Sequence, residues 1–132
     1  MKWTDLGLAN KFNSIYNPFL SHVFSVFNNP KSIVGVKGCN FSFWKEDFIR
    51  VNGFNNDFNG WGREDSEIAV RLINSGIKKR HLKFRAVCFH LHHGHFSREY
   101  DKINTEMLKE AVAKKITWAI NGYTTFSPVV QY

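Results

Sequence analysis

Residues 58–67 read Phe58-Asn59-Gly60-Trp61-Gly62-Arg63-Glu64-Asp65-Ser66-Glu67, and a helical apolar pattern begins directly after them. The two glycines can adopt positive φ and let the backbone approach a ligand. Trp61 between them offers a flat ring that can stack on a sugar or a base. Glu64 and Asp65 fall in the first turn of the predicted helix, where the macrodipole favours negative charge. The segment predicts either a ligand-binding loop or an ordinary turn before an acidic helix start.

The composition describes one folded domain, or part of one, with a basic surface. The chain has 132 residues, of which 43% are hydrophobic and 16% aromatic, and its formal charge is +7. This content is enough for a packed core and argues against disorder. The charge suits an anionic partner, which could be a nucleotide diphosphate, a lipid headgroup or a nucleic acid. A basic surface without a specific partner is the alternative.

Apolar spacing predicts helices in four parts of the chain. The first part, residues 1–32, reads as a helical lead-in that is interrupted near Asn17-Pro18 and stopped by Pro30. The other predicted helices are 44–51, the one that follows Asp65 and ends at Asn74-Ser75-Gly76, and 102–115. Gly76 is expected at the C′ position, where a left-handed residue closes a helix.

Two apolar runs read as strands, 33–43 and 82–89. Glycine and asparagine at Gly38 and Asn40 mark either a close backbone approach to a ligand or a bulge. The second run leads into a cluster of four histidines within residues 90–95, and imidazole is a common ligand for divalent metals. Residues 123–132 read as a tail or an edge strand.

The cysteines and the hydropathy of the chain predict its cellular location. Cys39 and Cys88 lie in the predicted strands, so they are expected to be buried and reduced. No apolar run approaches the roughly 18 residues that a membrane span requires, and Met1-Lys2-Trp3-Thr4-Asp5 does not resemble a signal peptide. The expected location is cytoplasmic, with a peripheral contact at the inner, anionic face of the membrane.

Four motifs together resemble one glycosyltransferase family. They are Gly38-Cys39-Asn40-Phe41-Ser42-Phe43, Val51-Asn52-Gly53-Phe54, Gly60-Trp61-Gly62-Arg63-Glu64-Asp65 and His90-Leu91-His92-His93. Their order is similar to that in the galactosyltransferase-type C-terminal half of GT-A-fold enzymes, which include β-1,4-galactosyltransferases, chondroitin polymerases and bacterial polysaccharide glycosyltransferases. The resemblance implies an α/β fold with a mixed sheet covered by helices.

The resemblance also implies a division of the chain. Residues 1–32 form the lead-in, 33–98 the galactosyltransferase-type C-terminal catalytic core, and 99–132 a C-terminal helix and tail. The Trp-Gly-x-Glu-Asp element with its downstream histidines is the specific part of the pattern, and the other motifs support it.

Roles for individual residues follow from the same resemblance. Asp65 is similar to the family's catalytic base, Glu64 to a carboxylate that binds the acceptor, and Trp61 with Gly62 to a mobile loop that closes over the donor sugar. The remaining matches are Gly38 and Asn40, where the backbone passes the donor, and His90 and His93, where the family places metal ligands.

This pattern implies an inverting, metal-dependent transfer of a sugar from a UDP-sugar donor to a hydroxyl of a glycan acceptor. A positioned carboxylate removes the proton of the attacking hydroxyl, and Mn²⁺ or Mg²⁺ stabilises the leaving diphosphate. The expected setting is bacterial-type polysaccharide synthesis.

One departure from the family separates the hypotheses. The Asp-x-Asp motif that supplies its other metal ligands does not occur in this sequence. The expectation is that the N-terminal nucleotide-binding half is absent here and comes from missing sequence or a partner chain. The alternatives are a truncated, non-catalytic domain that binds a glycan or partner, and a basic nucleic-acid binder. The last is disfavoured because the aromatic residues follow core spacings, so no specific nucleic-acid partner is expected.

Overall fold

The computed structural model describes residues 15–86, 88 and 97–126, and this part of the chain is helical. Its α-helices, in chain order, are α1 Pro18–Phe27, α2 Lys45–Arg50, α3 Glu64–Asn74, α4 Asp101–Ala113 and α5 Tyr123–Phe126, with a 3-10 helix at Gly38–Asn40. None of the described residues belongs to a β-strand. The predicted α/β class, a GT-A portion with a mixed sheet and covering helices, is therefore wrong for the described chain.

The first predicted strand, 33–43, is replaced by turns. Gly35 has a φ of +78°, which breaks an extended course. The Asn40 amide donates to the Lys37 carbonyl at 2.9 Å and closes the 3-10 helix. The Lys79 Nζ donates to the Val34 carbonyl at 2.8 Å, and partial burial lowers the pKa of Lys79. Turn hydrogen bonds and the Lys79 side chain thus satisfy backbone groups that were expected to pair in a sheet.

The second predicted strand, 82–89, also begins as a turn. Phe84 has a φ of +67°, and the amides of Arg85 and Ala86 both donate to the Leu82 carbonyl, at 2.9 and 3.0 Å. Residues 87 and 89 lie outside the described residues. Cys39 and Cys88 are exposed free thiols, so the prediction that they are buried is wrong.

The chain divides into two compact units, and the described part of the first is residues 15–30, 80–86 and 88. In this unit the Asn17 side chain caps α1 by accepting from the Leu20 amide at 3.0 Å, and Pro18 takes the first helical position. A helix therefore starts at the predicted interruption near Asn17-Pro18, and residues 1–14 lie outside the described residues. Phe24 packs edge-on against the rings of His81 and Phe84, with centroids 5.9 and 6.1 Å apart.

The described part of the second unit is residues 31–79 and 97–126, and its core is built from α3 and from residues in and around α2. Buried Val51, Ile68 and Leu72 form the centre, and partly buried apolar residues pack around them: Phe41, Phe43, Phe48 and Ile77. The predicted helix at 44–51 is confirmed in its main part, since α2 spans Lys45–Arg50.

A buried ion pair accompanies this core. The Arg71 side chain is fully buried, and its Nε and Nη2 donate to the two carboxylate oxygens of Glu67 at 2.7 and 2.8 Å. Its Nη1 donates to the Val51 carbonyl, which also accepts from the Ala119 amide. Because every charged atom has a partner, the pair can remain buried.

The predicted ends of α3 are confirmed. Glu64 and Asp65 occupy its first turn, and Gly76 has a φ of +90°. The Gly76 and Ile77 amides donate to the Ile73 and Leu72 carbonyls, both at 3.0 Å. This pair of bonds is a Schellman motif, with Gly76 at C′ as expected. Helix α4, predicted at 102–115 and observed at Asp101–Ala113, packs against α3.

Asn52 anchors the C-terminal part of the second unit. Its buried side chain donates to the Ala119 carbonyl at 2.6 Å and accepts from the Thr124 amide at 2.8 Å, while its carbonyl accepts from the Tyr123 amide at 2.7 Å. Residues 123–126 are helical rather than an edge strand, and 127–132 lie outside the described residues.

Candidate active site

The loop before α3 takes backbone conformations that explain its glycines. Gly60 and Gly62 have φ values of +65° and +113°, and Arg63, the N-cap residue of α3, has +77°. A Cβ at residue 60 would lie 2.9 Å from the Tyr100 ring, and one at residue 62 would lie 3.1 Å from a carboxylate oxygen of Asp101. The positive φ values favour glycine at both positions, and at residue 60 the nearby Tyr100 ring adds a steric reason.

Helix α4 holds this loop from one side. Asn104 is 1% exposed, and its Nδ2 donates to the Asn59 carbonyl at 3.0 Å and to the Gly62 carbonyl at 2.9 Å. The Arg63 Nε lies 3.5 Å from an Asp101 carboxylate oxygen. One buried amide thus links the carbonyls on both sides of Trp61, which fixes the course of the loop through that residue.

Asp65 is brought to the segment that contains the first motif. Its Oδ2 accepts from the Gly38 amide at 2.8 Å, and its Oδ1 accepts from the Ser66 hydroxyl at 3.2 Å. A Cβ at residue 38 would lie 3.6 Å from the Asp65 Cβ, which is ordinary van der Waals contact. Gly38 thus matters here through its amide, since there is room for a side chain. Both oxygens keep a lone pair for a further donor.

Glu64 turns back toward the tryptophan loop. Its Oε2 accepts from the Gly62 amide at 3.0 Å, and its side chain is half-buried. Two adjacent carboxylates therefore point to different groups, Glu64 to the loop and Asp65 to Gly38. The neighbouring helix N-terminus favours both negative charges.

Trp61 presents an accessible ring. It is 43% exposed, and the guanidinium carbon of Arg98 lies 5.0 Å from the ring centroid. This separation is within the range of a cation–π interaction. An exposed aromatic face beside a cation suits the recognition of a sugar ring that carries a negatively charged group.

The remaining predicted site residues stand apart from this geometry. Asn40 is exposed and ends the 3-10 helix. His90 and His93, the predicted metal ligands, lie outside the described residues. Within the described ranges, no group of three or more histidine, cysteine, aspartate or glutamate side chains could hold a metal ion.

The residues that hold the loop were not predicted from the sequence. Asn104 occurs at helical spacing with Leu108 and Ala111, so it lies on the apolar side of α4, and it is buried together with Ala111. A polar residue on a buried helix face must find partners, and this was the available signal. Tyr100 and Arg98 gave no comparable signal, because their contacts join segments that are distant in sequence.

Comparison with known proteins assigns the chain to a family. A family model described as the N-terminal domain of galactosyltransferase matches residues 19–95, more than half of the chain. The chain belongs to this galactosyltransferase family, and the resemblance inferred from its motifs is confirmed. The motifs were interpreted as those of a C-terminal half, whereas the description of the family model names an N-terminal domain.

Curated relatives match over short segments. The chain is 53% identical over 38 residues to validoxylamine A glucosyltransferase of Streptomyces hygroscopicus subsp. jinggangensis, which is 29% of this chain and 9% of that protein. It is 43% identical over 44 residues to beta-1,4-galactosyltransferase 2 of Cricetulus griseus, which is 33% of this chain and 11% of that protein. The matches thus span about a tenth of these relatives' length. No solved structure matches the chain significantly.

Proposed function

We propose that this chain provides acceptor-activating residues of an inverting glycosyltransferase, similar to galactosyltransferases, that transfers a sugar from a UDP-sugar to a glycan hydroxyl. Family membership supports the class of reaction, and the names of the relatives include a glucosyl- and a galactosyltransferase. The proposed setting is the synthesis of a bacterial-type polysaccharide.

The observation that carries the proposal is the placement of the Asp65 carboxylate. It lies at the N-terminus of α3 and is fixed by the Gly38 amide at 2.8 Å, a contact between residues 27 positions apart in sequence. A general base must be held in place and keep an acceptor lone pair. Asp65 satisfies both conditions, because the Gly38 and Ser66 donors leave room at each oxygen.

In the proposed step, the acceptor hydroxyl donates its proton to Asp65 while its oxygen bonds to the anomeric carbon of the donor. The bond from that carbon to the diphosphate oxygen breaks at the same time, so the anomeric configuration is inverted. Glu64, bonded to the Gly62 amide, is placed to accept from a neighbouring acceptor hydroxyl. Its bond to the loop would link acceptor binding to the position of Trp61.

Trp61 is proposed to cover the donor sugar. Its ring is partly exposed, and it lies between two residues of positive φ, Gly60 and Gly62. Covering the sugar would exclude water and so suppress hydrolysis of the donor. Arg98 over the ring adds a positive charge near the position that we assign to the donor.

Mn²⁺ or Mg²⁺ is the proposed cofactor, with His90 and His93 as candidate ligands. Two imidazoles are an incomplete ligand set for either ion, and further oxygen ligands would have to come from other residues or from the donor. When bound, such an ion acts as a Lewis acid on the departing diphosphate.

Transfer from UDP-galactose and UDP-glucose to oligosaccharide acceptors tests the proposal on the whole protein. Asp65→Asn should lower kcat by about 10²- to 10⁴-fold, because the proton acceptor is lost while the shape is kept. The control is Asp47→Asn, which removes a carboxylate from the first turn of α2, where an Asp47 carboxylate oxygen lies 3.7 Å from the Arg50 guanidinium. This control should keep the parental rate.

An unchanged rate in Asp65→Asn would refute the role of Asp65 as base. Donor binding without transfer or hydrolysis by the parental protein would instead identify a non-catalytic binding domain. Activity in the presence of a chelator, or unchanged metal dependence in His90→Ala and His93→Ala, would refute the metal assignment.

A further inference from the structure

A concave site lies in the first unit and shares no residue with the Asp65 site. It is a cavity of about 140 Å³. Three of its lining residues belong to α1, Ser21, His22 and Ser25, and four belong to the segment 80–85, Arg80, His81, Leu82 and Arg85. This volume is several times that of one water molecule. Two arginines and two histidines are among the lining residues.

The electrostatic character of this cavity is strongly positive. Arg80 and Arg85 contribute two permanent charges. The described residues of the first unit, 15–30, 80–86 and 88, contain no aspartate or glutamate. Neither guanidinium forms an ion pair with a described residue. Two cations therefore line one hollow, and the described residues of their unit supply no carboxylate to neutralise them.

The third lysine or arginine among the described residues of this unit is already engaged elsewhere. Lys83 Nζ lies 4.9 Å from the centroid of Phe24 and 5.3 Å from that of Phe84. The Ser25 hydroxyl is also engaged, since it donates to the His22 carbonyl at 2.8 Å. Arg80 and Arg85 are thus the groups that remain for a ligand, and both are exposed.

We propose that this cavity binds a phosphate group. Guanidinium groups bind oxyanions through paired N–H donors, and these charge-assisted bonds are the strong ones. Phosphate oxygens also accept from imidazole N–H groups. The ligand could be a soluble phosphate compound or the headgroup of an anionic lipid, since α1 carries exposed apolar residues in the same unit, among them Phe19 at 74% and Phe27 at 84% exposure.

Isothermal titration of the full chain with inorganic phosphate and pyrophosphate tests the soluble arm, at constant ionic strength. Co-sedimentation with phosphatidylcholine vesicles that contain phosphatidic acid, compared with phosphatidylcholine alone, tests the lipid arm. The double variant Arg80→Gln/Arg85→Gln should weaken binding in whichever arm is positive by at least about tenfold, because both charged donors are lost.

The matched control is Arg50→Gln/Lys102→Gln, which removes the same charge from exposed positions outside the cavity. It should keep the parental affinity, and thermal melting should show both double variants folded. Binding of the inorganic anions identifies a soluble ligand, and binding of acidic vesicles alone identifies a headgroup. No binding in either arm would overturn the proposal. An equal loss in the control would also overturn it, because the effect would then be one of net charge.

Discussion

Replacing Asn104 by leucine should loosen the tryptophan loop and destabilise the whole fold. Leucine keeps the branched shape but removes the Nδ2 donor that serves the Asn59 and Gly62 carbonyls at 3.0 and 2.9 Å. Gly62 is buried, so its carbonyl would be left without a donor, which costs about 1–3 kcal/mol. Asn59 is exposed and its carbonyl can bind water, so that loss is about 0.5–1.5 kcal/mol. The expected fall in the free energy of unfolding is about 1.5–4.5 kcal/mol.

Urea denaturation followed by circular dichroism gives the global value, and hydrogen exchange of the peptide that covers residues 58–64 gives the local one. The exchange of this peptide should rise more than that of α3. The control is Lys102→Leu at an exposed position of the same helix, which should stay within about 0.5 kcal/mol. A loss in Asn104→Leu no larger than in the control, with unchanged loop exchange, would refute the role assigned to Asn104.

The variant Asn104→Asp adds a pH test. Its ionised carboxylate would be buried and would face two carbonyl oxygens, so the pKa of this carboxyl should be raised in the folded state. A raised folded pKa stabilises below the unfolded value of about 3.9, and this stabilisation is lost as the pH rises through the folded pKa. The deficit of Asn104→Asp relative to Asn104→Leu should therefore grow from pH 4 towards neutrality. A deficit independent of pH would contradict the geometry.

Two further substitutions probe the core of the second unit by urea denaturation. Arg71→Met should lower the free energy of unfolding by about 3–5 kcal/mol, because Glu67 is left charged and buried. The double variant Glu67→Leu/Arg71→Met should lower it far less, and equal losses would show that the pair is not coupled. Gly122→Ala should destabilise by more than about 2 kcal/mol, because its Cβ would overlap the Asn52 carbonyl. Gly76→Ala, in open space at a φ of +90°, should cost only about 1–2 kcal/mol, and the opposite order would contradict the structure.

The helix boundaries could be predicted because local signals set them. Asn17 and Pro18 form an N-cap and first-turn pair that any helix would accept at its start. Gly76 closes α3 through a positive φ that glycine adopts at low cost. These signals act within four residues and need no knowledge of the rest of the fold.

The prediction of strands was wrong because a short apolar run does not specify which segment it packs or pairs with. A run such as 33–43 can pair in a sheet or can turn and pack its rings, and periodicity alone does not separate the two. Here Phe41 and Phe43 pack edge-on at 5.1 Å, and Phe43 stacks on Phe48 at 5.4 Å. The apolar side chains therefore find a core without forming a strand.

The candidate site could be predicted only in part. The resemblance implied that Asp65 is the base and that the backbone at Gly38 passes the donor, and in the structure the Gly38 amide donates to Asp65 at 2.8 Å. The residues that fix the tryptophan loop were not assigned, because their side chains reach it from a helix about forty positions further along the chain, with separations of 45 and 42 for the two Asn104 bonds. Such long-range bonds leave no periodic trace in the sequence.

The region that matches the family ends before the helix that supports the tryptophan loop. The match ends at residue 95, whereas α4 begins at Asp101 and supplies Asn104. The loop motif lies inside the matched region, yet the amide that joins its two carbonyls lies outside it. It follows that residues 58–67 alone do not determine the position of Trp61. A relative with the same motif but without a donor at the position of Asn104 would need another group to hold the Gly62 carbonyl, because a buried carbonyl without a donor is unfavourable.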